Sequence, residues 1–267
     1  MGYFDRKNEL KEKARLHNEY VESNLREDVN NSVKNTEVYS NGYSRKEKTT
    51  NLPNVFVSDQ DSVSAAYNEK SGRTCVLNFA SYKEPGGMFM QGSSAQEECL
   101  CHASSLYNVL KRLPDYYEWN KKNLRKAMYT NRALYSKDVI FYKDDKPSEK
   151  TKFDVLTCAA PNFSPGKKYG SVTREENTRA LDSRIKFVCD ILSENKVDTV
   201  ILGAWGCGVF GQDPKEVAEL FKKHIENGEL DVQKVVFAIL PGKNLEAFRD
   251  VFGDERNQKF SDIERER

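Results

Sequence analysis

Little in this sequence points to a metal, a membrane or bulk electrostatics. It has three histidines and six cysteines, and no Cys-x-x-Cys pair from which a zinc or redox motif could be built. The thiols of Cys75, Cys99, Cys101, Cys158, Cys189 and Cys207 are scattered, mostly inside apolar runs, and are expected to be reduced and packed. No uncharged apolar run approaches the roughly 20 residues that span a bilayer. The opening MGYFDRKNELKEK has no apolar leader segment, and Arg6 stands where a myristoylation motif would want Ser or Thr. A soluble, cytoplasmic protein is expected. Nor does one sign of charge dominate: 42 Lys and Arg face 41 Asp and Glu, a net charge of +1. Strong nucleic-acid affinity is therefore not expected, and any anionic ligand must be held locally.

What is present is an alternation. Apolar β-like runs stand at 55–59 (VFVSD), 74–80 (TCVLNFA), 138–142, 153–160, 198–205 and 234–240, separated by helical patterns at 62–70, 96–113, 173–195, 214–227 and 244–252. Several of the runs are apolar throughout, which fits strands covered on both faces, and so an α/β/α sandwich. Thr173 with Glu176 spells a capping box, and Asp213-Pro214 an N-cap followed by proline at the first helical position. Residues 5–38 are charged with loosely helical apolar spacing, and a polar loop at 40–53 follows them. This divides the chain into an N-terminal helical extension (1–50) packing on the core, a main α/β domain (51–253) and a charged tail (254–267).

Two glycine-rich turns follow strands. GAWGCGVFGQDP, Gly203 to Pro214, places glycines at 203, 206, 208 and 211 ahead of a capped helix, whose N-terminus is expected to offer unpaired N–H groups to a phosphate or diphosphate. The order is not G-x-G-x-x-G, so a Rossmann nicotinamide site is the weaker reading. The second turn, PGGMFMQGSSAQEE, puts Gly86 and Gly87 before Gln96, Glu97 and Glu98 at a helix start. Carboxylates there suit the helix dipole whatever their use, but two such turns on one sheet edge can also wall one crevice. A glutamate beside a diphosphate is desolvated and repelled, its pKa rises, and it becomes a proton donor fit for glycosidic chemistry. As helix neighbours Glu97 and Glu98 are expected to project in different directions. Cys99-x-Cys101 points its thiols apart, His102 is read as a packing residue, and Asn162 in AAPNF is read either as a sugar contact or as part of a plain turn.

VLNFASYKEPGGMFMQGSSAQEECLCHASSLY, with AAPNF and GAWGCGVFGQDP downstream, resembles the microbial-type poly(ADP-ribose) glycohydrolase family of the macrodomain superfamily. The resemblance implies a macrodomain-like fold with a mixed sheet, a glycosidase releasing ADP-ribose from polymer ends or from singly modified protein, and no cofactor or metal. It implies Glu98 as catalytic acid, Glu97 on ribose hydroxyls, Gln96 fixing the helix start, and Gly86 and Gly87 against the distal ribose and diphosphate. Asn78 would lie on the ribose side. Gly206, Cys207, Gly208 and Val209 would cradle the diphosphate, with Phe210 beside the ribose. The family's glycine triplet is here Gly86-Gly87-Met88. A methionine resists positive φ, so at position 88 it implies either a side chain near the ribose or an altered loop. The alternatives are an ADP-ribose-binding module without turnover, which would have no need of two glutamates beside an anion, and an NAD-binding protein using the Gly203–Pro214 loop.

Overall fold

The computed structural model describes residues 3–143 and 146–253; the charged tail read at 254–267 lies outside them. In chain order the helices are α1 Tyr3–Asn24, α2 Arg26–Lys34, α3 Ser62–Glu69, α4 Gln96–His102, α5 Leu106–Leu110, α6 Pro114–Lys122, α7 Phe163–Gly170, α8 Arg174–Glu194, α9 Pro214–Glu226 and α10 Lys243–Phe252. The strands are β1 Glu37–Tyr39, β2 Asn54–Ser58, β3 Thr74–Phe79, β4 Ala133–Lys143, β5 Lys146–Cys158, β6 Thr199–Leu202 and β7 Lys234–Ala238. They form a seven-stranded sheet in the order β1-β4-β5-β3-β6-β7-β2. Its pairings are of both kinds, antiparallel for β1 with β4 and β4 with β5, parallel for β6 with β7 and β2 with β7. The α/β class and the mixed sheet are as the sequence implies. No helix among the described residues is long and apolar enough to cross a membrane.

The chain divides into two compact units. The first holds residues 3–41, 76–125, 129–143 and 146–159. In it the N-terminal helices bury Val21, Leu25 and Val29 against Val109 of α5 and against Ile140 and Tyr142 of β4. Glu22 reinforces that seam, 2.7 Å from Lys111 Nζ and 3.0 Å from Arg112 Nη2. β4 starts at Ala133, earlier than its apolar run suggests, because an irregularity between Ser136 and Val139 interrupts the alternation; Asp138 there has φ +56 and its N–H donates to Asp154 Oδ1 at 3.0 Å. The helical pattern read over 96–113 is broken into α4 and α5. The break comes where Ser104 Oγ donates to Leu100 O at 2.6 Å and Ser105 N–H reaches Ile140 O on β4 at 2.8 Å.

The second unit holds residues 42–75, 126–128 and 160–253. Its parallel strands are short and apolar, β6 buried at all four positions. Both argued helix starts are present. Thr173 Oγ1 accepts from Glu176 N–H at 3.2 Å while Glu176 Oε2 accepts from Thr173 N–H at 2.8 Å, and Asp213 Oδ1 accepts from the N–H groups of Lys215 and Glu216, each at 3.0 Å.

Candidate functional site

In the first unit, β3 ends in Asn78 and Phe79, the chain turns through Gly86 and Gly87, and α4 returns with Gln96, Glu97 and Glu98 in its first turn. Gln96 bolts this helix to the strand: its Oε1 accepts from Phe79 N–H and its Nε2 donates to Leu77 O, both at 2.9 Å. Glu97 is buried. Its Oε2 accepts from Ser81 N–H at 2.7 Å and its Oε1 from Asn78 Nδ2 at 3.2 Å. Burial dominates these bonds and pushes its carboxyl up to about 8, with the neighbouring Glu98 adding to the rise, so Glu97 keeps its proton near neutrality.

Glu98 is differently placed. Its Oε1 accepts from Met88 N–H at 2.8 Å, while its Oε2, in a side chain only 6% exposed, has no partner in the chain. Asn78 Oδ1 is also buried without a partner, its Nδ2 being shared between Glu97 and Thr157 Oγ1 at 3.3 Å. Two orphaned buried acceptors are costly unless something else meets them. A further difference from expectation is that the two glutamates converge. A Cβ on Gly87 would lie 2.5 Å from Glu98 Oε1 and 2.9 Å from Glu97 Oε2. Helical side chains lean toward the N-terminus, so in a first turn both reach the glycine loop ahead of it.

Only glycine fits that loop. Gly86 and Gly87 have φ +67 and +59, and a Cβ at 86 would lie 2.8 Å from the Tyr107 ring. Met88 does not need to be glycine: its φ is −107, its N–H is the Glu98 donor, and its side chain is 53% exposed. Neither a positive φ nor backbone strain attends the departure from a glycine triplet. On the same helix Cys99 is exposed and Cys101 buried, and His102 packs its ring on Phe89 at 4.7 Å. Among the described residues no cluster of His, Cys, Asp and Glu could hold a metal ion.

In the second unit the loop from Gly203 to Asp213 is closed by Gln212 N–H donating to Gly206 O and Gly211 N–H donating to Gly208 O, each at 3.0 Å. Gly206, at φ +80, leaves no room for a Cβ, which would meet Ala160 Cβ and Gln212 Cγ at 2.9 Å. Gln212 is locked in a reciprocal amide pair with Asn177, at 2.8 and 2.9 Å, and reaches Pro161 O at 2.7 Å. At the crest things differ. Gly208 has nothing within 4 Å of its Cβ position, Val209 is 85% exposed, and the N–H groups of Gly206, Gly208 and Val209 make no hydrogen bond among the described residues. Unspent turn amides of this kind can receive an anion where they converge. The N-terminus of α9 does not contribute as expected, because Asp213 occupies its N–H groups and puts a carboxylate where an anion would sit. Cys207 has its thiol pushed up to about 12 by burial and is not a thiolate.

Sequence reasoning missed Ser81, Thr157, Ser164 and the Asn177–Gln212 pair. Gln212 lies inside the glycine-rich run, Asn177 and Thr157 inside runs read as helix and strand, and Ser81 and Ser164 outside them; each acts through a partner met only in the fold.

Residues 7–144 match the family model of the microbial-type PARG catalytic domain. Among solved structures the chain is similar to poly(ADP-ribose) glycohydrolase from Thermomonospora curvata, at 27% identity and a TM-score of 0.81 over 92% of this chain and 100% of that one. The same enzyme bound to the inhibitor ADP-HPD matches at 28% identity and 0.79, covering 91% and 99%. The Deinococcus radiodurans glycohydrolase in complex with ADP-ribose matches at 29% identity and 0.76, covering 83% and 96%. Among curated protein sequences none matches.

Proposed function

The chain belongs to the microbial-type poly(ADP-ribose) glycohydrolase family, and from that premise we propose how this glycosidase divides its work among the residues just described. Glu98 is the proton donor and Glu97 its protonated neighbour. The observation that carries the assignment is the buried, unpartnered Oε2 of Glu98 beside an Oε1 that Met88 N–H holds in place. Carrying a proton, that Oε2 donates to the leaving oxygen of the ADP-ribosyl bond, which has only lone pairs to offer. Glu98 gives its proton to this oxygen as the C1–O bond of the ribose breaks, and then takes a proton from the water that attacks the oxocarbenium-like carbon.

Because Glu97 holds its proton near neutrality, its carboxyl adds no negative charge beside a diphosphate and has an O–H to offer a ribose hydroxyl. Asn78 supplies a second acceptor on that side. Gln96 fixes α4 to β3, Gly86 and Gly87 bring backbone to the ligand, and Met88 presents its side chain outward with its N–H on Glu98. In the second unit the diphosphate is given to the amides of Gly206, Cys207, Gly208 and Val209, with Phe210 beside the ribose. Of these, Cys207 N–H already donates to Ala204 O at 3.2 Å, so Gly206, Gly208 and Val209 carry the binding.

The substrate is poly(ADP-ribose) at its ends or a singly modified protein, and the product is ADP-ribose. The test follows release of ADP-ribose from both substrates by the purified chain and by Glu98→Gln. The variant is expected to lower the rate at least about a hundredfold while ADP-ribose affinity stays within a few-fold. An undiminished rate in the variant would remove Glu98 from the chemistry.

A further inference from the structure

A balanced net charge conceals two stretches without acid. Residues 119–137 contain six Lys and Arg and no Asp or Glu, and residues 155–174 contain Lys167, Lys168 and Arg174, again with no acid. Within the second unit the fold joins them. Asn162 N–H donates to Ala127 O at 2.9 Å, and α7 lays two glycines against Lys126. A Cβ on Gly166 would come 3.1 Å from Lys126 O, and one on Gly170 3.0 Å from Lys126 Cβ. Lys126, Lys167 and Lys168 are exposed, and none makes an ion pair among the described residues. Beside them Tyr169 is 77% exposed, its ring 5.0 Å from Lys168 Nζ.

The backbone that presents Lys126 is strained. Arg125, Lys126 and Ala127 follow one another at φ +48, +54 and +67, a left-handed run that L residues adopt at a cost. It is held by its carbonyls, Ala127 O on Asn162 and Met128 O on Nη2 of the buried Arg184 at 3.2 Å. Strain maintained at an exposed, acid-free lysine points to use rather than to packing. The same helix also touches the proposed diphosphate loop. Ser164 N–H donates to Phe210 O at 3.1 Å, and Gly211 packs on the Ser164 side chain. The whole of α7 is about 12 Å long, so the loop and the lysines are borne by one short rigid piece.

We propose that Lys126, Lys167 and Lys168, with Tyr169, form an auxiliary subsite for poly(ADP-ribose) that holds a unit other than the one being cleaved. The lysines meet a diphosphate and the tyrosine face receives a base. This rests on the glycohydrolase reading above and deepens it, because it makes the polymer a better ligand than its terminal unit alone. A flexible single-stranded polyanion is gripped by neutralised phosphates and stacked bases, and the free chain supplies both here.

The experiment uses the full chain carrying Glu98→Gln, which leaves polymer uncut, with and without Lys126→Asn, Lys167→Gln and Lys168→Gln together; asparagine tolerates the left-handed backbone. Binding of ADP-ribose and of poly(ADP-ribose) of defined length is followed by calorimetry and by fluorescence anisotropy at two salt concentrations. The parent is expected to bind polymer more tightly than ADP-ribose. The triple variant should lose about tenfold in polymer affinity, with a log–log salt slope flatter by about 2, and keep its ADP-ribose affinity; arginine at all three positions should retain the parent's behaviour. Tyr169→Ala, which alters no buried contact, provides a second reading and should weaken polymer binding about fivefold or more. Unchanged polymer affinity in both variants overturns the subsite. So does an equal loss for ADP-ribose, or single-stranded DNA bound as tightly as polymer by the parent. A parent that binds no ADP-ribose would instead bring down the glycohydrolase reading itself.

Discussion

Gly87 and Gly208 are the same residue type under opposite constraints. At Gly87 a methyl group would enter the space of both carboxylates at a φ of +59; at Gly208 it would enter open space. Gly87→Ala is expected to cost about 1–3 kcal/mol of stability and most of the glycohydrolase activity. Gly208→Ala should leave stability within about 0.5 kcal/mol yet, on the proposed placement of the diphosphate, weaken ADP-ribose binding, because its Cβ would enter the space given there to the ligand. Thermal unfolding and calorimetry on the pair separate the two effects, and full ADP-ribose affinity in Gly208→Ala would exclude this loop as the diphosphate site. Glu97 makes a prediction of its own. Its folded carboxyl titrates at about 8 against 4.5 unperturbed, so folding favours its protonated form. The stability this gives is complete below pH 4.5 and is lost as the pH climbs through 8, at about 1.4 kcal/mol for each unit between. Glu97→Gln does not titrate, so its melting temperature relative to the parent should rise between pH 5 and 9; a constant difference would mean that Glu97 is ionised throughout.

At the scale of elements, α9 shows how a cap can close a site as well as build a helix. Asp213→Ala removes two hydrogen bonds to the first turn and should destabilise the fold by about 1 kcal/mol. Because it also removes a carboxylate from the end of the glycine loop, ADP-ribose affinity is expected to hold or improve; a large loss would give Asp213 a part in binding. The elements that the sequence concealed share one cause. β1 is three residues long, α6 and α7 open with or contain proline, and α7 has two glycines among eight residues. Such segments have weak propensity of their own and are set by neighbours, as Gly166 and Gly170 are by Lys126. The single helix read at 96–113 fails for the same reason, since β4 recruits Ser105 and ends α4 early.

Across the whole molecule, the six apolar strand runs, the Thr173 and Asp213 caps and the two glycine turns were legible because each signal is local: a run of apolar side chains, a hydroxyl three residues from a glutamate, a glycine pair ahead of a helix. The Gln-Glu-Glu triplet was legible as a motif for the same reason. Its chemistry was not. Residue type and spacing give the two adjacent glutamates equal claims, and the family resemblance alone assigns them roles; tertiary structure adds the difference in their surroundings: Asn78 and Ser81 close over Glu97 and burial raises it, while Met88 N–H holds one oxygen of Glu98 and leaves the other bare. A balanced composition likewise hides the lysines beside α7, because a net charge sums over positions that the fold keeps apart. Composition, pattern and motif fixed the class of fold and the family. Ionisation and convergence belong to the tertiary structure, since they depend on how much water and which distant neighbours each carboxyl meets.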